Sequence, residues 1–500
     1  MDGQPDNGQH VDVLIIGAGI SGIGAAAHLT RKHPEKSYLI LEGREALGGT
    51  WDLFRYPGIR SDSDLHTFCY AFKPWIDKKA IADAPSILRY IQEAAAEYGV
   101  PDHIRLGHKV TDASWSSEDR CWTVTAERGP DAEPVRFTAT WFFCAGGYYR
   151  YDRAYVPELP GVDNFGGQLV HPQFWPEDLD YEGKRVVVIG SGATAMTIVP
   201  AIAERAAHVT MLQRTPSYVI SIPAVDPIAE LFKRLLGPVR AHRITKRKNV
   251  WIGRLIYNTS RRYPGALRKL IRAGTVRALP EGYDVDTHFN PPYNVWDQRL
   301  CLVPDGDLFN ALSSGDASIV TDKIETFTET GIRTVSGEEL EADIIVTATG
   351  LELVPLAGIN YSVDGEEIKL PDTFTYKGMM LSGMPNFLYA LGYINASWTL
   401  KVDLICQHFC RLLSLMDERG YAYCVPDAPA AESTRPLLDF SAGYVLRAME
   451  HFPKQGSVPP WELNMDYLRD RKVLLEGPVG DHMRFTPSSS PTYDAYVASA

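Results

Sequence analysis

Two stretches of the chain share one pattern: a short aliphatic run, then closely spaced glycines, then small residues at helical spacing. The first is Val11-Asp-Val-Leu-Ile-Ile-Gly-Ala-Gly-Ile-Ser-Gly22 and the second is Arg185-Val-Val-Val-Ile-Gly-Ser-Gly-Ala-Thr-Ala195. Aliphatic strands without polar alternation are buried on both faces, as parallel sheets under helical cover require. Each stretch therefore predicts a strand, a tight turn and a helix. The two starts, about 170 residues apart, predict a duplicated nucleotide fold in an α/β chain. Between them, Ser86–Gly99 reads as a helix, and residues 104–144 read as several strands with turn signals at Ser116-Ser-Glu-Asp and Gly129-Pro-Asp. The late strand Ala342-Asp-Ile-Ile-Val-Thr-Ala-Thr-Gly350 repeats the pattern of Ala139-Thr-Trp-Phe-Phe-Cys-Ala-Gly146. Both run into small residues, as expected where backbone passes close to a cofactor. Residues 425–437 and the tail after Pro487 are rich in Pro, Ala and Ser and read as loop or mobile end.

The glycine spacing carries chemistry. Gly17 permits the tight turn, Gly19 lets backbone approach a pyrophosphate, and Gly22 lets the helix pack closely on its strand. A lone GxGxxG is a weak signal. Here it follows a strand, opens an Ala-rich helix that includes Ser21, and is answered 20 residues later by Glu42, which ends the strand Tyr38-Leu-Ile-Leu-Glu where a carboxylate can accept from a ribose hydroxyl. The second motif uses Gly190, Ser191, Gly192, Thr194 and Ala195, and its second strand ends Gln213-Arg214-Thr215. Arginine at the position of Glu42 can pair with a 2′-phosphate, which an acid would repel. The expectation is FAD in the first unit and NADPH in the second.

Composition narrows the class. The chain of 500 residues is 45% hydrophobic and 22% charged, the balance of a globular enzyme of two or three domains. Its net charge of −12 argues against general nucleic-acid binding. Seven scattered cysteines without a CxxC make a disulfide framework or a metal site unexpected and suit a reducing cytoplasm. The polar, acidic start lacks the basic region of a signal peptide, and no apolar run reads as a membrane span.

Two dinucleotide sites fit a disulfide reductase, a dehydrogenase or an oxygenase, and a redox cysteine pair for the first is absent. Phe165-Gly-Gly-Gln-Leu-Val-His-Pro-Gln-Phe-Trp-Pro176 resembles the FxGxxxHxxxW[P/D] fingerprint of type I Baeyer–Villiger monooxygenases, with Phe165, Gly167, His171, Trp175 and Pro176 in register. Gly48-Gly-Thr-Trp-Asp-Leu-Phe-Arg-Tyr-Pro-Gly-Ile-Arg-Ser-Asp62 is similar to that family's GGxW…RYPGxRxD segment, and Thr347-Ala-Thr-Gly350 to its ATG segment. The likeness spans roughly residues 10–410. Tyr56-Pro-Gly-Ile-Arg-Ser-Asp-Ser-Asp64 and Asn395-Ala-Ser-Trp-Thr-Leu-Lys401 resemble the ethionamide-activating branch.

The resemblance implies a glutathione-reductase-like flavoprotein: an FAD-binding domain from residues 1–148 and 348–500, a linker with the fingerprint at 149–177, an NADPH-binding domain at 178–217 and 297–347, and a helical insert at 218–296. It implies that Gly49, Thr50, Trp51, Asp62, Val110 and Gly350 join Gly17, Gly19, Ser21, Gly22 and Glu42 around FAD, and that Arg60 joins the NADP residues. It implies oxygen insertion into a small ketone or sulfide through a C4a-peroxyflavin, with Arg299 as the active-site cation and Asp62, or its rival Asp64, as its carboxylate partner. A guanidinium suits that task because it stays charged at working pH and presents directed donors. Many relatives carry lysine where this chain has Gln298, so Arg214, with Thr215, carries more of the NADPH preference. His171 and Trp175 read as residues that fix a moving linker, and Tyr56 and Trp398 as substrate-lining. A flavin monooxygenase of N and S centres and a redox sensor that binds both nucleotides without oxygenating are the competing readings. Lys233–Arg277 holds fourteen Lys or Arg and no acid. It reads as a helical insert with a solvated basic face, with NADPH steering or membrane-surface attraction as alternatives.

Overall fold

The computed structural model describes residues 8–298, 300–428, 433–438, 440 and 442–488. Arg299 lies outside the described residues, as do 429–432 within the expected loop and the tail from 489.

Two sheets organise the described chain. In the larger, strands run in the order Glu366–Glu367, Asn360–Val363, His108–Ser116, Cys121–Arg128, Glu133–Cys144, Gln9–Ile16, Tyr38–Leu41 and Ile104–Arg105, and Phe387–Tyr389 pairs beside Glu133–Cys144. The strand Glu133–Cys144 does two jobs. Its first half pairs antiparallel with Cys121–Arg128, and its second half pairs parallel with Gln9–Ile16 through Ile16↔Cys144. Val13 and Ile15 face one apolar cluster, shared with the helices Ile20–Lys32 and Trp398–Arg419, while Leu14 and Ile16 face another built with Trp122 and Phe142. Both faces are thus covered, which is why this strand lacks polar alternation.

The smaller sheet is wholly parallel, in the order Ala317–Thr321, His208–Gln213, Arg185–Ile189, Ile344–Thr347 and Gln168–Val170. The fingerprint segment, expected as connecting chain, therefore supplies an edge strand. Its residues 168–170 are short and apolar enough to extend a parallel ladder already formed by Ile344–Thr347. Residues 218–296 are mainly helical, with helices Pro227–Leu236, Pro238–Arg262, Pro264–Ala278 and Val285–His288. They also contain the strand Val219–Ile222, which pairs parallel with Cys301–Pro304. No helix among the described residues is long and apolar enough to cross a membrane.

Candidate active site

The helices Ile20–Lys32, after Gly19, and Ala193–Ala203, after Gly192, begin at the glycine motifs without a side-chain cap. The helices Ala84–Glu97 and Pro227–Leu236 instead start at Asp83 and Asp226, whose carboxylates take their first N–H groups. Uncapped N–H groups and the positive dipole end suit an anion at each glycine-led start. Close approach explains the glycines. A Cβ at Gly22 would stand 1.9 Å from the Gly17 carbonyl oxygen, and one at Gly190 would stand 2.3 Å from that of Ala348.

A cleft of about 620 Å³ opens at the first helix start. Gly17, Gly19, Ser21, Glu42, Gly49, Thr50, Trp51, Asp62 and Val110 line it, together with Trp398. Gly22 and Gly350 do not; Gly22 is packed beneath the turn, and Gly350, at φ +108°, lies near Tyr444 and Arg447. Gly19 and Gly49 form the cradle, since a Cβ on Gly49 would stand 3.0 Å from the Cα of Gly19. Side chains there would fill the groove, so these residues fit a dinucleotide laid against bare backbone. Glu42 is buried and accepts from the Ala18 N–H at 2.7 Å and the Arg44 N–H at 3.0 Å. Burial raises its pKa while these bonds oppose the rise. A carboxylate offers about four acceptor sites, so the two used by the loop do not exhaust it.

A second cavity of about 240 Å³ adjoins the cleft, sharing Asp62, Ser63 and Ala396 with it. Val250, Tyr257, Trp296, Leu300, Leu302 and Leu400 contribute to its walls. Asp62 and Asp64 separate here. Asp64 caps the turn Leu65–Phe68, taking the Thr67 N–H at 3.1 Å, the Thr67 hydroxyl at 2.6 Å and the Asn249 amide at 2.8 Å. Asp62 borders both cavities, whereas Asp64 borders only the smaller. The chain on either side of Arg299 reaches the same cavity through Trp296 and Leu300.

The other expected residues distribute unevenly. Ser191 donates to the Thr215 carbonyl at 2.8 Å, closing the second glycine turn onto its neighbouring strand, and Arg214 is exposed just beyond that strand. Ala195 is buried. Gln213 turns inward, donating to the His288 carbonyl and the Thr321 hydroxyl, both at 2.9 Å; its role there is to pin a helix end. Arg60 pairs with Asp307, at the start of the helix Asp307–Ser314. Tyr56 lines neither cavity. It lies against the smaller sheet's core, hydrogen-bonded to Thr194, and burial pushes its hydroxyl up to about 12. Tyr56, expected to line the substrate, is carried by the Tyr-Pro-Gly turn toward the second glycine-led helix. Trp398 lines the larger cleft rather than the smaller cavity, donating through Nε1 to Ser21 Oγ.

In the fingerprint, Gly167 is obligatory because a Cβ would stand 2.5 Å from the Asp343 carbonyl oxygen. Phe165 packs edge-on to Phe327, Trp175 packs on the smaller sheet's core, and Pro176 accepts from the Leu179 N–H. His171 accepts the Gln173 N–H at Nδ1 and lies against the backbone of Gly350 and Tyr155, with its pKa lowered by burial. It therefore ties the fingerprint to the segment after Thr347.

Three features escaped the sequence. Gln173 donates to the carbonyls of Arg150, Tyr151 and Arg153 at 2.9, 3.2 and 3.3 Å, clamping a segment that walls the larger cleft. Tyr151, on that segment, hydrogen-bonds Thr50. Tyr393, also on the cleft wall, donates at 2.7 Å to buried Asp470, which accepts from buried Lys401 at 2.7 Å. Only the Gln inside the fingerprint had a positional signal, through its place two residues after His171.

A glycine-cradled cleft at the parallel strands of one mixed sheet, a second glycine-led helix on a wholly parallel one, and a separate cavity opening from the first define a two-nucleotide oxidoreductase. The flavin-binding monooxygenase-like family matches residues 10–226. The FAD-containing monooxygenase EthA of Mycobacterium tuberculosis is 50% identical over 97% of this chain and 99% of its own length. The putative FAD-containing monooxygenase MymA of the same organism is 51% identical over 95% of this chain and 97% of its own. Among solved structures, a steroid monooxygenase bound to NADP overlays with a TM-score of 0.75 at 21% identity, covering 96% of this chain and all of that one. A polycyclic ketone monooxygenase from Thermothelomyces thermophila overlays at 0.78 and 17% identity, covering 98% and 91%. The chain belongs to the family of FAD-containing monooxygenases that includes EthA and MymA.

Proposed function

We propose that this protein is an NADPH- and O2-dependent Baeyer–Villiger monooxygenase that converts ketones to esters or lactones, with oxidation of sulfides as a second activity. FAD and NADPH are its cofactors. Residues 1–148 and 348–500 hold the former in this reading, and residues 178–217 and 297–347 the latter. Bound FAD, reduced by NADPH, supplies the activation of dioxygen.

The chain's own residues do the rest. The helix start at Gly19 holds the pyrophosphate, and Glu42 accepts from the adenosine ribose. Arg214 receives the 2′-phosphate of NADPH through charge-assisted hydrogen bonds. Arg299 offers a permanent cation to oxygen and then to the oxyanion that forms at the ketone carbon; one such preorganised donor is worth on the order of 3 kcal/mol. Asp62 fixes that guanidinium. The apolar walls from Val250, Leu300, Leu302 and Leu400 keep bulk water from the reacting centre. The observation that carries this reading is the position of Asp62, on the border of the glycine-cradled cleft and the smaller cavity to which Leu300 also contributes.

Mass spectrometry of products from a panel of ketones and thioethers, with NADPH, tests it. Esters or lactones one oxygen heavier than the ketones are expected. Sulfoxides without any ester would instead make it a monooxygenase of soft centres, and substrate-independent oxygen uptake would leave a redox sensor.

A further inference from the structure

The helix Pro238–Arg262 is amphipathic the wrong way round for water. Among its 25 residues the buried ones are Ala241, His242, Thr245 and Ser260. Ile244, Trp251 and Leu255 are 41%, 60% and 50% exposed, and Ile252 and Ile256 are exposed beside them. At 100° per residue, Ile244, Trp251 and Leu255 fall on one line. Arg240, Arg247, Arg254 and Arg261, seven apart, run alongside it. The neighbouring helices continue the surface, with Ile228, Leu231 and Leu235 exposed on Pro227–Leu236 and Leu270 and Val276 on Pro264–Ala278. A face stabilised by water alone would be polar here, so the expectation of a solvated basic face is incomplete: the basic residues frame exposed apolar ones.

We propose that these three helices are a docking surface for an anionic lipid bilayer. Large apolar side chains, one of them tryptophan, bordered by arginine and lysine are the composition of a helix lying in a membrane interface. Charge selects the occupant. Residues 233–277 carry fourteen cationic side chains and no acid. Lys233, Lys248, Arg254, Arg261 and Arg272 pair with carboxylates from outside the segment, and the other nine leave it cationic in a protein of net charge −12. An anionic surface is therefore complementary to this region and repelled by the rest. A second copy docked by the same face would set these cations against one another. The inner side of Pro238–Arg262 contributes Asn249, Val250, Gly253 and Tyr257 to the smaller cavity, so a docked molecule holds that cavity one helix away from lipid.

Flotation of the FAD-loaded, full-length protein with vesicles of phosphatidylcholine, alone or with one quarter phosphatidylglycerol, tests this surface independently of the reaction catalysed. Binding to the phosphatidylglycerol vesicles at about 0.1 M salt is expected, weakening but not vanishing at about 0.5 M as the charges are screened. Trp251→Ser with Leu255→Ser should lower the partition coefficient at least tenfold, and Arg243→Glu with Arg247→Glu should abolish the preference for anionic lipid. FAD content and thermal midpoint, unchanged in both variants, guard against misfolding. Absence of binding to either vesicle, equal binding by the Trp251 and Leu255 variant, or a concentration-dependent dimer dispersed by that variant would overturn the proposal.

Discussion

Trp398 Nε1 donates to Ser21 Oγ across 2.9 Å, joining the start of a late helix to the first turn of the glycine-led one. Both residues line the larger cleft, 377 positions apart in sequence. The indole sits directly over Gly392, where a Cβ would stand 2.4 Å from its ring. Gly392→Ala should therefore displace the indole and release FAD, while Trp398→Phe, losing one hydrogen bond of about 1 kcal/mol, should weaken FAD binding about fivefold. Titration of apoprotein by flavin fluorescence reads both; tight binding by Gly392→Ala would refute the arrangement.

Asp62 and Asp64 predict opposite phenotypes. Asp64→Ala removes the acceptor for the Thr67 N–H and should cost about 1–2 kcal/mol of stability with oxygenation largely kept. Asp62→Ala should keep the thermal midpoint and flavin content but lower product formation at least a hundredfold. Calorimetry and product yield on the two variants decide the assignment, and a reversed pattern would transfer the role to Asp64.

In the proposed reading, nicotinamide preference rests on Arg214, which is exposed. Arg214→Ala should raise the KM for NADPH about tenfold, the loss of one charge-assisted contact, and leave the KM for NADH unchanged. Equal effects on both would mean that Arg214 does not meet the 2′-phosphate.

Two buried histidines set an acid limit. Burial lowers His242, whose Nε2 lies 3.6 Å from Cys69 Sγ, to about 3, and lowers His408 to about 4. Both then stay neutral in the folded protein while the unfolded chain takes up protons below about 6.5. Stability is whole above that pH and falls as the pH drops toward 4, by up to about 1.4 kcal/mol per unit for each group. Urea midpoints between pH 7 and 4.5 should decline, and His242→Asn should flatten the decline. An unchanged slope would mean that His242 takes no part.

What could be read in advance was local. The two glycine turns, Glu42 and the fingerprint glycine each stand in a motif recognisable by spacing, although the groups that crowd Gly167 and Gly190 and bind Glu42 come from Asp343, Ala348 and Ala18. Strand position does not say which way the Gln213 side chain turns at the end of a sheet; it donates to the His288 carbonyl. The direction of the Tyr56 ring is hidden for a similar reason. The Gln173 clamp and the Tyr393–Asp470–Lys401 chain depend on segments brought together only by folding, as far as 77 residues apart for Tyr393 and Asp470. The exposed apolar face of Pro238–Arg262 is half legible in the sequence: charge lies in composition, whereas exposure of Trp251 and Leu255 depends on what fails to pack against them.

If one guanidinium converts a flavoprotein reductase into an oxygenase, Arg299→Ala measured by two readouts shows it most directly. Anaerobic bleaching of the flavin by NADPH should proceed at near the parent rate, while aerobic incubation with a converted ketone should consume NADPH and yield no ester. Ester formation at the parent yield would contradict the claim.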